Sequence, residues 1–169
     1  IFFVNLPPTW LAELLGVFEV SLLYIYFLLL FFLSFLLCAR LARYLLDQQA
    51  RIIRLFFLLV CFYVFFIFPM SEFGQREHIM FVFVTPYILV LMARAEGAQI
   101  GKILAVTAGI LAGIGLCLKP YFFILWIAEE IYVIAFARCC GWKRPENIVV
   151  FLTASIIGLG FLAFAAEFF

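Results

Sequence analysis

Six long apolar runs constrain this chain more than any other feature. They cover roughly Trp10–Ala39, Ile52–Pro69, Ile79–Ala93, Ile103–Leu118, Tyr121–Ala137 and Ile148–Phe169. A helix rises about 1.5 Å per residue, so about 20 apolar residues cross a hydrocarbon layer about 30 Å thick. The runs are continuous. Strands of a membrane barrel would instead alternate over about ten residues, so helices are expected. The chain is 69% apolar with 24 phenylalanines, and its mean hydropathy is +1.28. Soluble domains are about half apolar, and a water-facing surface built from this composition would itself be apolar. The expected fold is all-α: a polytopic transmembrane helical bundle of about six spans, a single transmembrane domain over residues 1–169. The start at Ile1 without a signal peptide and the apolar run still in progress at Phe168-Phe169 are read as a piece of a longer chain.

Charge and cysteine usage exclude other classes. Net charge is +1 and no Lys/Arg run is present, so nucleic acid is not an expected partner. Cys38, Cys61, Cys117, Cys139 and Cys140 have no metal-ligand spacing, and His78 is the one histidine. No metal site is expected from such a set. The vicinal Cys139-Cys140 pair reads as inert thiols or as an acylation site.

The first run holds 30 residues, roughly 45 Å of helix, so it must tilt or project from the bilayer. Pro7-Pro8 is expected to block helix before it, with Thr9 as the cap and Trp10 at an interface. Cations then set orientation. Arg40, Arg43, Arg51, Arg54, Arg94, Lys102, Arg138, Lys143 and Arg144 fall in one set of connections, and only Arg76 and Lys119 in the other. The positive-inside rule puts the first set in the cytoplasm. The N-terminus and residues 70–78 are then outside, in a multi-pass protein of a bacterial inner (plasma) membrane.

The outward face collects polarity that solubility alone does not require. In "SEFGQREHIM", Glu72, Gln75, Arg76, Glu77 and His78 crowd together. They read as a solvated loop or as a site. In "GLCLKPYF", Lys119 ends an apolar helix before Pro120, either snorkelling to the interface or held toward an anion. Glu129 and Glu130 lie about 12 Å into the fifth run. Neighbouring helical positions point about 100° apart, so at least one must face the bundle interior, be protonated or pair with a base, unless the span is displaced toward the cytoplasm. Gly109-x-x-x-Gly113, with Gly115, reads as a close helix contact, and Gly158 with Gly160 reads the same way. Pro86 is expected to kink its helix. Asp47 reads as a surface residue.

Two stretches, "FGQREHIMFVFVTPYILVLMARAEG" and "GILAGIGLCLKPYFFILWIAEEIYVI", resemble the middle of a GT-C-type polytopic glycosyltransferase. The resemblance covers about Glu72 to Tyr132 and rests on Gly74-Gln75 and Lys119-Pro120. It implies transfer of a sugar from a polyprenyl-phosphate carrier to an acceptor on the outer face. Arg76 and Lys119 would clamp the phosphate, with Gly74 and Gln75 completing the substrate site. Glu77 and His78 would be the acid–base candidates. The family's usual base is an acid in an outer loop after a preceding span; no Asp occurs before Asp47 here. The lipid-linked sugar is a substrate, and no cofactor is implied. Expected partners are the bilayer, the polyprenyl-phosphate lipid and other membrane subunits. Two alternatives stay open: a noncatalytic structural or accessory subunit of a membrane complex, and a transporter using Glu129 or Glu130.

Overall fold

The computed structural model describes residues 2–16, 18–46, 51–69, 75–136 and 143–166. These residues form seven α-helices and no strand. The helices are α1 (Phe2–Leu15), α2 (Glu19–Leu45), α3 (Arg51–Phe62), α4 (Arg76–Ala95), α5 (Lys102–Leu116), α6 (Phe123–Phe136) and α7 (Pro145–Ala166). A π-helical turn, Tyr63–Ile67, extends α3, and a 3-10 turn, Pro120–Phe122, precedes α6. The fold is all-helical, as the apolar runs predict.

The count of spans differs. Among the described residues, three helices are long and apolar enough to cross a membrane: Val20–Leu45, Arg76–Ala95 and Pro145–Ala163. Six spans are not supported, and the reasons are local. The first run divides at Gly16, whose φ of +63° is the left-handed conformation that glycine adopts at little cost and that ends helices. In the second, the α-helix has only 12 residues before it passes into the π turn. The fourth stops at Leu116 and leaves a 15-residue helix, about 22 Å long. The fifth begins its α-helix only at Phe123, after the 3-10 turn, and has 14 residues. Pro7-Pro8 does not block helix either. Both prolines lie inside α1, so α1 is a separate helix packed on α2.

The polar turn is also shorter than expected. Arg76, Glu77 and His78 belong to the first turn of α4, behind an extended Gln75 at the N-cap (ψ 156°). A carboxylate in the first turn suits the positive end of the helix dipole, and Glu77 occupies that place. Gly74, with Ser71, Glu72 and Phe73, lies outside the described residues, as do Asp47, Arg138, the Cys139-Cys140 pair and Glu167.

α4 is the spine. α2 and α5 pack along it, α6 touches it, and α7 packs on α5. Its proline is accommodated by α2. Pro86 has no N–H, so the Val82 carbonyl one turn earlier loses its helical donor. The Ser34 hydroxyl of α2 donates to that carbonyl at 2.5 Å. The small-residue face of α5 meets α7. A Cβ on Gly109 would stand 2.6 Å from the Glu146 carbonyl oxygen, and one on Gly113 would stand 2.7 Å from Thr153 Cβ. Gly115 faces α4 at Phe83 and Met80. Gly158 and Gly160 do not behave this way: nothing lies within 4 Å of where their Cβ would be. They sit on an exposed face of α7, so their reading as contact glycines is corrected.

Polarity is arranged from the inside out. Large apolar side chains such as Phe18, Ile52, Phe56, Ile103 and Ile156 are exposed, while Ser34, Glu130, Arg144, Glu146 and Asn147 are buried. Water would penalise that surface, whereas lipid tails are as apolar as the side chains themselves. The arrangement and the three long helices are compatible with a membrane protein.

Candidate functional site

Among the described residues, polar side chains pair across helices in two places. The first is the end of the bundle where α4 begins and α5 finishes. Glu77 on α4 and Lys119, just beyond α5, are 42 residues apart in sequence and form an ion pair. The helix α5 brings them together: it packs antiparallel beside α4 through Gly115 and carries Lys119 to the level of the first α4 turn. The ammonium also lies 5.4 Å from the Tyr121 ring centre and 5.9 Å from that of Phe122, within the range of cation–π attraction. The Glu77 carboxylate, and after it Tyr121, holds Lys119 above the ordinary lysine range. Gln75 and Arg76 are exposed beside the pair. Four of the expected residues, Gln75, Arg76, Glu77 and Lys119, therefore share one solvent-facing end.

His78 is placed differently. Its ring packs edge-on against Phe31 of α2, with centroids 4.9 Å apart at 78°. It also reaches the backbone of Val64 and Phe65. The π turn explains the first of these partners. The Phe68 N–H bonds to the Tyr63 carbonyl, five residues back, so the Val64 carbonyl loses its usual helical donor. His78 thus ties α4 to α2 and to the π turn rather than turning outward with Glu77.

The second gathering is buried, and it is not apparent from the sequence. Glu130 of α6 accepts from Tyr87 Oη at 2.7 Å, from Arg144 at 2.5 Å and from Asn147 Nδ2 at 3.0 Å. Trp126 Nε1 donates to Asn147 Oδ1 at 3.0 Å and to Tyr87 Oη at 3.2 Å. Next to this cluster, Arg94 at the end of α4 approaches Glu146 at 2.6 Å and donates to its other oxygen at 3.0 Å. The layer joins α4, α6 and the start of α7. It satisfies two carboxylates that would otherwise be costly to bury. Of the three courses open to the Glu129-Glu130 pair, Glu130 takes the one in which a base neutralises it. Glu129 points elsewhere, into a largely apolar cavity of about 310 Å³ beside Ile88, Leu91 and Tyr132. One signal for the buried layer was visible: a helix start "RPEN" with a cation, an acid and an amide in four residues. In the sequence, Arg94 and Arg144 read only as cations that set orientation.

The two gatherings differ in what they can do. The buried layer pairs each of its two carboxylates with an arginine and ties three helices together. The Glu77–Lys119 end is open, carries both signs of charge and has Arg76 adjacent, so it can take an anion and move a proton. Among the described residues no group of three His, Cys, Asp or Glu side chains comes together to hold a metal. Compared with protein-family models, with curated proteins and with solved structures, the chain gives no match.

Proposed function

We propose that the chain is the membrane part of a glycosyltransferase that moves a sugar from a polyprenyl-phosphate carrier to an acceptor hydroxyl. The reaction takes place at the end where α4 begins. The observation that carries this reading is the Glu77–Lys119 ion pair with Arg76 beside it. Arg76 and Glu77 from the start of α4 meet Lys119 from beyond α5 at one open end, beside apolar helices that suit an isoprenoid tail.

The chemistry follows from charge. As the bond between the sugar's anomeric carbon and the phosphate oxygen breaks, its electron pair goes to the phosphate. Negative charge grows there, and fixed cations stabilise it. Arg76 supplies a fork matched to phosphate oxygens, while Lys119 supplies a point charge. In the resting pair Lys119 is shared with Glu77. An arriving phosphate offers Lys119 a more highly charged partner and frees the carboxylate. Glu77 then accepts the proton of the acceptor hydroxyl as its oxygen bonds to the anomeric carbon. Gln75 is placed to hydrogen-bond the sugar. His78 acts through packing, holding the first α4 turn against α2. By the positive-inside count this end faces outward from a bacterial inner membrane.

The test is reconstitution of the full-length protein with radiolabelled polyprenyl-phosphate sugars, scoring release of the polyprenyl phosphate. Arg76→Ala and Lys119→Ala should each lower release on the order of a hundred-fold. Glu77→Gln should lower it while leaving carrier binding in place. Transfer that is unchanged in both cation variants would sink the proposal.

A further inference from the structure

A second basic feature lies at the opposite end of the bundle. α2 and α5 border a groove of about 1080 Å³ there. Arg40 and Arg43 from the end of α2 and Lys102 from the start of α5 line its mouth. All three are exposed, and among the described residues none of them makes an ion pair or a side-chain hydrogen bond. No acidic side chain lines the groove among the described residues. Farther in, the walls turn apolar on both helices. Leu33, Leu36 and Leu37 precede the cations on α2, and Ile103 and Leu104 follow Lys102 on α5. Because the two helices run in opposite directions, their charged ends coincide and their apolar parts coincide. Leu33 lies seven residues before Arg40, so the apolar wall reaches about 10 Å below the cations.

We propose that this groove binds one anionic phospholipid of the surrounding leaflet. Its phosphate sits between Arg40, Arg43 and Lys102, and an acyl chain lies against the leucines of α2. The argument is complementarity of charge and depth. Three cations, unpaired among the described residues, stand at the mouth of a greasy groove and repel one another until an anion arrives, and basic pockets between membrane helices are suited to anionic headgroups. A soluble anion would use the cations and leave the apolar wall unused. A zwitterionic lipid would fill the wall and leave the cations uncompensated. The groove is separate from the Glu77–Lys119 end, so its occupancy does not depend on the transfer chemistry.

The experiment uses full-length protein in nanodiscs of phosphatidylcholine doped with phosphatidylglycerol, with retained lipids counted by native mass spectrometry. Wild type should retain one phosphatidylglycerol in preference to phosphatidylcholine. Each cation removed should weaken retention roughly five-fold, and Arg40→Gln/Arg43→Gln/Lys102→Gln together on the order of a hundred-fold. Arg51→Gln, which removes a cation outside the groove, is the control for net charge and should retain the lipid. A triple variant that elutes and melts as wild type does yet still holds phosphatidylglycerol overturns the proposal. So does equal loss in Arg51→Gln, because the effect is then general surface charge. If glycerol phosphate in solution displaces the lipid at similar concentrations, the groove is a phosphate site and the lipid assignment fails. Should the triple variant not fold, Arg40→Gln and Lys102→Gln singly must still show the five-fold steps.

Discussion

At the level of single residues, buried polar atoms decide what the helices tolerate. Ser34 donates to a carbonyl that Pro86 leaves without its helical donor. Ser34→Ala is therefore expected to destabilise by about 1–3 kcal/mol, the cost of an unsatisfied buried acceptor. Denaturant titration in mixed micelles measures it, and Ser34→Ala on a Pro86→Ala background should cost less, because residue 86 then supplies its own N–H. Glu130 and Arg144 make a sharper case. Removing one partner of a buried pair strands the other charge, so Arg144→Met should cost about 3–5 kcal/mol. Glu130→Leu combined with Arg144→Met should recover much of that loss. A double variant as unstable as the sum of the singles would contradict the pairing. Lys119 sets a pH window instead. Glu77 raises its pKa, so the stability that it contributes is complete below the ordinary lysine value, about 10.4, and is lost as pH rises through the higher folded value. Melting temperatures of wild type and Lys119→Gln should differ at pH 8 and converge in strong alkali.

Among the helices, glycine spacing has two different consequences. Gly109 and Gly113 lie where α5 meets α7, and a methyl group there collides with the Glu146 carbonyl or with Thr153. Gly109→Ala should destabilise by about 1–3 kcal/mol through overpacking. Gly158 has open space around it, so Gly158→Ala should gain up to about 1 kcal/mol of helix propensity. Equal effects at the two sites would remove the α5–α7 contact as an explanation. The two pairs differ in sequence spacing, four residues against two, and the four-residue spacing is the one that puts both glycines on a common helix face. The helices themselves were legible because the runs are apolar and long. Their division was not, because Gly16 and the π turn at Tyr63–Ile67 act through backbone geometry that hydropathy does not register. The Glu77–Lys119 end was legible since both residues flank apolar runs on one side. The Glu130 layer was not legible, since its base, Arg144, is 14 residues away in the chain and looks like any of the other cations that the positive-inside count collects.

For the molecule as a whole, the two basic features fall at opposite ends of one helix length, and that separation makes orientation testable. α4 has 20 residues, about 30 Å, which matches the hydrocarbon thickness. Gln75 precedes it beside the Glu77–Lys119 end, and Glu96 follows it, both exposed. With the native cysteines replaced, Gln75→Cys and Glu96→Cys report on opposite faces. The positive-inside bias predicts that a membrane-impermeant maleimide labels Gln75→Cys in intact cells and labels Glu96→Cys only after lysis. The reverse pattern would put Arg76 and Lys119 on the cytoplasmic face, so transfer would have to draw on carriers in the inner leaflet, and the arginine-rich groove would face outward. Labelling of both positions in intact cells would mean that α4 does not cross. The inside-out polarity would then require apolar partner subunits, rather than lipid, to cover faces such as Ile103 and Ile156, as the reading of the chain as an accessory subunit holds.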